Sequence, residues 1–424
     1  PSSAQTCPRT FGPVGPSFRP SLSVSYDQVW SVPARAPNGW TFAWSEGQDV
    51  HARRFDLNLN PLANPFLVNS TYNLEIQDEP AIGYSTTTAN FLIAWSERYG
   101  YDGSGMGVMG RVYDVHGNPL GMEFVIPSIT YASQWRPLIA PTPTGGWVVA
   151  WTGDDDGNSY FKILGSNGAP LSGDIPVNTY TYDAQVDPSA AVSPGGTIFV
   201  AFVDYSSHAL PGTGLNLYGR TFDASGNPLQ GQEYLLTTSA TLGDQRDPRV
   251  AVDGQGRFFV VWSDQFGDGS GYGIFERVFD STGAPLAPVF QVNTTTAGDQ
   301  IRPVVVVDQV GRSLVTWEDY SLGAASSKIR ARRFDEQLVP LGPDFVVNDI
   351  PASGVSMTNP AMDASGGDIM IGYMGPGDPG NGIDVRARRY ESTARPQIYC
   401  TAKTNSLGCV PAHETLDPLG YKRI

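Results

Sequence analysis

Asp244 to Asn293 reads DQRDPRVAVDGQGRFFVVWSDQFGDGSGYGIFERVFDSTGAPLAPVFQVN, the cleanest of seven copies of one unit. Within it four short runs rich in β-branched and aromatic residues alternate with turn residues, which is the spacing of strands and not of helices. Run A covers Arg249 to Val252 and stops at Asp253-Gly254. Run B, Phe258 to Trp262, is apolar throughout, as suits a strand buried on both faces. Run C spans Gly273 to Asp280, and run D, Val289 to Asn293, follows the turn Ser281 to Pro285. Four antiparallel strands make a sheet that cannot bury its own faces, and stacking such sheets radially does so. The expected fold is all-β, a seven-bladed β-propeller of four-stranded antiparallel blades.

Three anchors set the register. An aromatic ends run B in every copy: Trp44, Trp95, Trp151, Phe202, Trp262, Trp317 and Tyr373. A proline opens each run A, from Pro33 through Pro80, Pro137, Pro188, Pro248 and Pro303 to Pro360, preceded by three in five copies by a glutamine. Run C carries a cation, Arg53, Arg111, Lys162, Arg220, Arg277, Arg332 or Arg388, two residues before its last aromatic or Leu. Seven recurrences read as architecture. A carboxylate two after the run-B aromatic, as at Glu46, Glu97, Asp204, Asp264 and Asp319, is expected to pair with that cation across strands B and C. The last copy lacks a clear run D, so an N-terminal strand at residues 21–26 is expected to close the ring, with residues 397–400 competing for the place. The chain divides into a Pro-rich tail at 1–20, the propeller at 21–399 and a Cys-containing tail at 400–424.

The stretch WSDQFGDGSGYGIFERVFDSTGAPLAPVFQVNTTTAGDQ, and its counterparts in the second and sixth units, resembles a repeat of large secreted and surface proteins of bacteria. Tyr399 to Pro411, YCTAKTNSLGCVP, resembles a C-terminal segment of secreted planctomycete and myxobacterial proteins. Both resemblances imply export to the outside or surface of a bacterial cell, and neither implies a particular chemistry. The chain opens at Pro1 without an apolar leader, which fits either a removed signal peptide or a cytosolic chain. Of the three cysteines, Cys400 and Cys409 flank a short loop suited to a local disulfide, which leaves Cys7 over; the alternative pairs Cys7 with Cys400.

A net charge of −15 argues against nucleic acid and against anionic lipid as partners, since both recruit clustered cations. No apolar run approaches a membrane span. The cysteines and the scattered His51, His116, His208 and His413 have no zinc-site spacing.

Because strands alternate in direction, the D-to-A and B-to-C connections share one face of the ring and the A-to-B and C-to-D turns share the other. The C-to-D turns are near-identical, whereas the B-to-C loops vary in length, and variable loops on a rigid scaffold are where binding resides. Those loops carry Tyr99, Tyr101 and Asp102, then Asp264, Asp268 and Tyr272, then Asp319 and Tyr320. Aromatic faces beside acceptors suit a pyranose ring and its hydroxyls; equally, Asp and Gly make turns. Asp154, Asp156 and Asn158 begin like an oxygen-ligand calcium loop, but Gly165 stands where the closing Glu belongs. Beyond that calcium, no cofactor is implied.

The reading is a secreted or cell-surface binding or adhesion module for carbohydrate or a partner protein. One alternative is a polysaccharide-active hydrolase or lyase using loop carboxylates. Another is a structural subunit of an extracellular assembly, with self-assembly as a further expectation. No hydrolase elbow, phosphate loop or HExxH is present, and no residue is singled out as catalytic.

Overall fold

The computed structural model describes residues 10–23, 26–70, 76–153, 157–206, 214–237, 243–323, 326–349, 356–365, 367–377, 382–393, 399–400 and 409–410. Seven four-stranded antiparallel sheets form the ring. The blade of the quoted unit shows the plan, with strand A at Gln245–Val252, B at Phe258–Gln265, C at Tyr272–Phe279 and a short D at Phe290–Gln291. The other A strands are Gln28–Ala36, Gln77–Ser85, Gln134–Pro141, Gln185–Val192, Gln300–Val307 and Thr358–Ser365.

The B strands are sandwiched between neighbouring blades, and Trp147–Gly153 and Ile198–Asp204 are buried at every position. Seven apolar clusters fill the seven interfaces between blades, from the first pair (Trp95 against Ala43) round to the last (Met370 and Val385 against Trp40 and Phe42). The run-B tryptophans Trp44, Trp95, Trp151, Trp262 and Trp317 are fully buried. At about 150 Å² of apolar surface and about 25 cal/mol per Å², each stabilises the ring by roughly 4 kcal/mol.

The run-C cations do not pair with the run-B carboxylates. The cation lies opposite the residue two before the run-B aromatic, as in Val260 opposite Arg277, four positions from the carboxylate. Instead each reaches the backbone of the preceding blade. Arg111 Nη1 donates to Val68 O at 3.3 Å, Arg220 Nη1 to Val177 O at 3.1 Å, Arg277 Nη1 to Leu236 O at 2.9 Å and Arg388 Nη1 to Val347 O at 2.6 Å. Lys162, Arg332 and Arg53 do the same to Ile126, Val292 and Pro20. Six of the seven also lie over the aromatic two residues on, as Arg277 does over Phe279 at 5.5 Å. The expected ionic belt is a set of straps between blades.

An N-terminal strand closes the ring, but it lies upstream of residues 21–26. Thr10–Pro13 pairs with Ile383–Thr393, within the stretch expected as a tail. Phe18 then bridges Ala387, the residue before the blade-seven cation, which is where strand D pairs in other blades. Phe11 stacks on Tyr390 at 5.2 Å, and Phe18 meets Phe42 and Phe55 of blade one edge-on. The apolar content of Phe11 and Phe18, against the polar Ser21 and Ser23, explains the choice. Tyr399–Cys400 and Cys409–Val410 form a separate two-stranded ladder with Cys400 opposite Cys409. Cys7 lies outside the described residues.

Candidate functional site

In six blades strand A begins with a buried Gln, and in all seven it slips register within the next few positions. At each slip one residue adopts a left-handed backbone: Trp30, Glu79, Arg136, Asp187, Asp247, Arg302 and Asn359, with φ from 50° to 59°. This geometry costs a non-glycine residue about 1–2 kcal/mol, and bulges re-aim side chains at functional rims. The seven residues ring one end of the central channel, a cavity of about 390 Å³ lined from all seven A strands. In six blades a proline follows the bulge residue; in blade one Ser31 stands there, and Pro33 lies two further on, opposite Phe42. The bulges open on the face that carries the D-to-A and B-to-C connections.

The bulge side chains are mostly charged and tied to one another. Arg136 holds Glu79 at 3.3 Å and Asp187 at 2.8 Å, so both carboxylates flank one guanidinium. Hydroxyls after the run-B aromatic hold the bulges in place. Ser96 Oγ donates to Glu79 Oε2 at 2.9 Å and accepts from Arg136 N at 3.0 Å. Ser263 Oγ does likewise between Asp247 and Arg302.

Blade six departs from this pattern: Glu318 stands where blades one, two, three and five carry Ser or Thr. Its carboxylate is fully buried beneath the mouth. Glu318 Oε1 accepts from Asn359 N at 2.6 Å and lies 3.3 Å from Arg302 Nη1, while Oε2 accepts from the Tyr320 hydroxyl at 2.8 Å. Arg302 is half exposed and Tyr320 half buried. Burial, and then the Glu318 charge, push the Tyr320 phenol up to about 12. The hydrogen bond fixes the Tyr320 hydroxyl toward a buried carboxylate that also faces a guanidinium.

The residues expected at the loops fall into two groups. Tyr99 is exposed, and its amide and that of Tyr101 donate to the buried Glu97 carboxylate at 2.6 and 2.9 Å. Asp102 is half buried, and burial raises its carboxyl. Asp268 accepts from Ser270 N and Asn293 Nδ2 at 3.0 Å each. Asp264, Asp319 and Tyr272, by contrast, are buried in the scaffold. Asp319 faces Arg330 at 3.5 Å, and Tyr272 lies under the Arg246 guanidinium, 3.9 Å from its ring centre. Asp264 Oδ2 accepts from Trp262 Nε1 at 3.2 Å; burial, partly opposed by that bond, lifts its carboxyl to about 6. Asn158 is buried and accepts from Asn178 Nδ2 at 2.5 Å, while Asp154 and Asp156 lie outside the described residues. Among the described residues no three His, Cys, Asp or Glu side chains converge as metal ligands.

Sequence reading passed over the bulge ring, although a signal was there. In the anchor Gln-x-x-Pro the residue before the proline is charged in all five copies, reading Glu, Arg, Asp, Asp, Arg, while the residue before that varies from Asp to Trp, Val, Arg and Ile. A charge kept at one position, with either sign, beside a position that varies freely is the signal of a charged ring.

No protein-family model and no curated protein matches the chain. Among solved structures, a Dyadobacter fermentans protein of unknown function aligns with a TM-score of 0.52 at 11% identity, over 90% of this chain and 99% of its own. The polysaccharide lyase Uly1 aligns at 0.51 and 9%, over 87% and 90%. The Penicillium chrysogenum α-L-arabinanase aligns at 0.45 and 14%, over 89% and 98%. The likeness is one of fold.

Proposed function

We propose that the protein binds polysaccharide across the face carrying its D-to-A and B-to-C connections and cleaves it at the channel mouth, as a hydrolase or lyase. One observation carries this reading. Every exposed aromatic among the described residues, namely Tyr26, Tyr99, Tyr131, Tyr180, Tyr182, Tyr205 and Phe266, belongs to a D-to-A or B-to-C connection. The opposite face exposes leucines instead, among them Leu62, Leu120, Leu171, Leu229, Leu286 and Leu341 on the C-to-D turns. Flat aromatic surfaces around a charged concavity suit a chain of sugar rings, whose apolar faces stack and whose hydroxyls need acceptors.

In this reading Tyr320 and Glu318 move the proton at the scissile bond. The Tyr320 oxygen takes the proton given up by the attacking water or the substrate carbon while its own proton passes to Glu318 Oε2, the same path returns a proton to the leaving oxygen as the glycosidic bond breaks, and Arg302 and Asn359 N fix Glu318 in place. Glu79, Asp187 and Asp247 supply the acceptors and second carboxylate that glycosidic cleavage uses. A polysaccharide lyase built on the same type of ring lends support by analogy of fold.

The test is a panel of neutral and acidic polysaccharides assayed for new reducing ends, with ultraviolet absorbance of an unsaturated product separating elimination from hydrolysis. Turnover that disappears in Glu318→Gln is the expected result. Saturable capture of oligosaccharide with no turnover would leave binding alone as the function. The proposal extends to export and to a bond between Cys400 and Cys409, which mass mapping without reductant checks.

A further inference from the structure

Blades five and six place a carboxylate at the same point, two residues after the run-B tryptophan, and treat it differently. In blade six this is Asp319, and the residue opposite the tryptophan on strand C is Arg330, whose guanidinium lies 3.5 Å from Asp319 Oδ2. In blade five it is Asp264, and the residue opposite Trp262 is Phe275, which brings no charge. Asp264 is 1% exposed; its Oδ2 accepts from Trp262 Nε1, and its Oδ1 is buried with no hydrogen-bond partner among the described residues.

Around that oxygen the loop is shaped by small residues and a second carboxylate. A Cβ on Gly267 would sit 2.9 Å from Asp264 Oδ1, and one on Gly273 would sit 2.8 Å from Asp268 Oδ2. The Gly267 position is also 2.8 Å from the Phe275 ring, so only glycine lets the loop backbone pack this closely against the two carboxylates. Asp268 is close enough for its charge to act on Asp264. Asp268 keeps its own place through Ser270 N and Asn293 Nδ2, so the pair is pre-positioned. Blade two shows the contrast: Glu97, one methylene longer at the equivalent place, spends both oxygens on the amides of Tyr99 and Tyr101. The blade-five loop retains capacity for an external charge.

We propose that the B-to-C loop of blade five binds a divalent cation of the calcium type through the carboxylates of Asp264 and Asp268. Two carboxylates balance two positive charges, and such hard cations complete their shells with backbone carbonyls and water. The bound ion does for Asp264 what Arg330 does for Asp319. It also braces the loop that presents the exposed Phe266. This inference is independent of the carbohydrate reading.

The experiment uses the full chain, stripped with chelator and titrated with calcium while the melting temperature is followed. Terbium luminescence runs in parallel, because Trp262 bonds directly to Asp264 and is a built-in antenna. Expected are a saturable rise in melting temperature near about 1 mM calcium, the range of extracellular modules, and Trp-sensitised terbium emission that calcium displaces. Asp268→Asn should weaken both at least tenfold. Phe275→Arg, which installs the guanidinium of blade six, should keep the fold and abolish the calcium response. The inference is overturned if the parent shows neither response, or if both survive in Asp268→Asn and Phe275→Arg.

Discussion

The Tyr320 hydroxyl donates to Glu318 Oε2 across 2.8 Å, which joins a half-exposed phenol at the channel mouth to a carboxylate with no exposure of its own. If this pair transfers the proton in cleavage, Tyr320→Phe and Glu318→Gln should each lower turnover by about 10²–10⁴-fold, the usual worth of a positioned acid or base. Oligosaccharide binding should change little in Tyr320→Phe, because the ring remains. Equal turnover in parent and variants, measured as reducing ends, would place the chemistry elsewhere on the face.

Exposed aromatics should govern affinity without governing stability. Tyr99→Ala and Phe266→Ala remove side chains that are 60% exposed, so unfolding free energies should shift by no more than about 0.5 kcal/mol. Retention on immobilised polysaccharide should fall several-fold for each. Leu120→Ser and Leu229→Ser, on the opposite face, are the matched controls and should bind as the parent does. A loss confined to the leucine variants would assign recognition to the other side of the ring.

The ring was legible because its determinants repeat. One tryptophan near the end of a B strand proves little, whereas an aromatic at that point in every copy fixes the strand and its partners. What the repeat could not convey was the direction of each contact. Arg277 and Asp264 share a blade, which suggested a bond between them, yet Arg277 reaches Leu236 of the blade before. Sequence periodicity records which side of a strand a residue occupies and is silent on which neighbour it crosses to. The same holds for Asp264 and Tyr272, whose loop setting suggested exposure. Strand B runs on to Gln265 and strand C begins at Tyr272, so both residues are paired strand residues buried in the scaffold. Glu318 was hidden because its position also departs from Ser or Thr at Val203 and Met374, so one more departure looks like noise until the bulges show what it faces.

Straps between blades should carry a measurable share of stability. Arg277→Met keeps most of the aliphatic stem over Phe279 and removes the charged donor to Leu236 O. Hydrogen bonds of this type are worth about 1.5–3 kcal/mol, so urea unfolding should report a loss of that order. A change below about 0.5 kcal/mol would show that water replaces the strap without cost.

Closure rests on Phe18 as well as on strand pairing. Its amide and carbonyl both bond to Ala387 at 2.9 Å, and its ring meets Phe42 and Phe55, so it joins the last blade to the first. Phe18→Ala should cost about 3 kcal/mol, the low end for a large aromatic that is only partly buried. Removing residues 1–20 should expose the edge of Ile383–Thr393 and give soluble aggregates by light scattering. A truncated chain that stays monomeric with the parent's melting temperature would mean that the ring closes without this segment.

Glu276 is the residue through which pH should act on stability. It occupies the strand-C position before the cation, where other blades carry Ala52, Gly110, Phe161, Gly219, Ala331 and Ala387. It is fully buried, neither carboxyl oxygen has a hydrogen-bond partner among the described residues, and burial raises it to about 8. In the unfolded chain a glutamate titrates near about 4.3. Below that value the side chain is protonated in both states, and its ionisation has no effect on stability. Between the two values the unfolded chain has released the proton while the folded ring still holds it, so raising the pH favours unfolding. The loss grows by at most about 1.4 kcal/mol per pH unit and levels off above the folded value. Glu276→Gln removes the ionisation, so the variant should gain on the parent steadily from about pH 4.5 to about pH 8. Urea unfolding of both proteins across that range measures the difference directly, and a difference that stays constant with pH would show that Glu276 is ionised inside the ring and has a partner there.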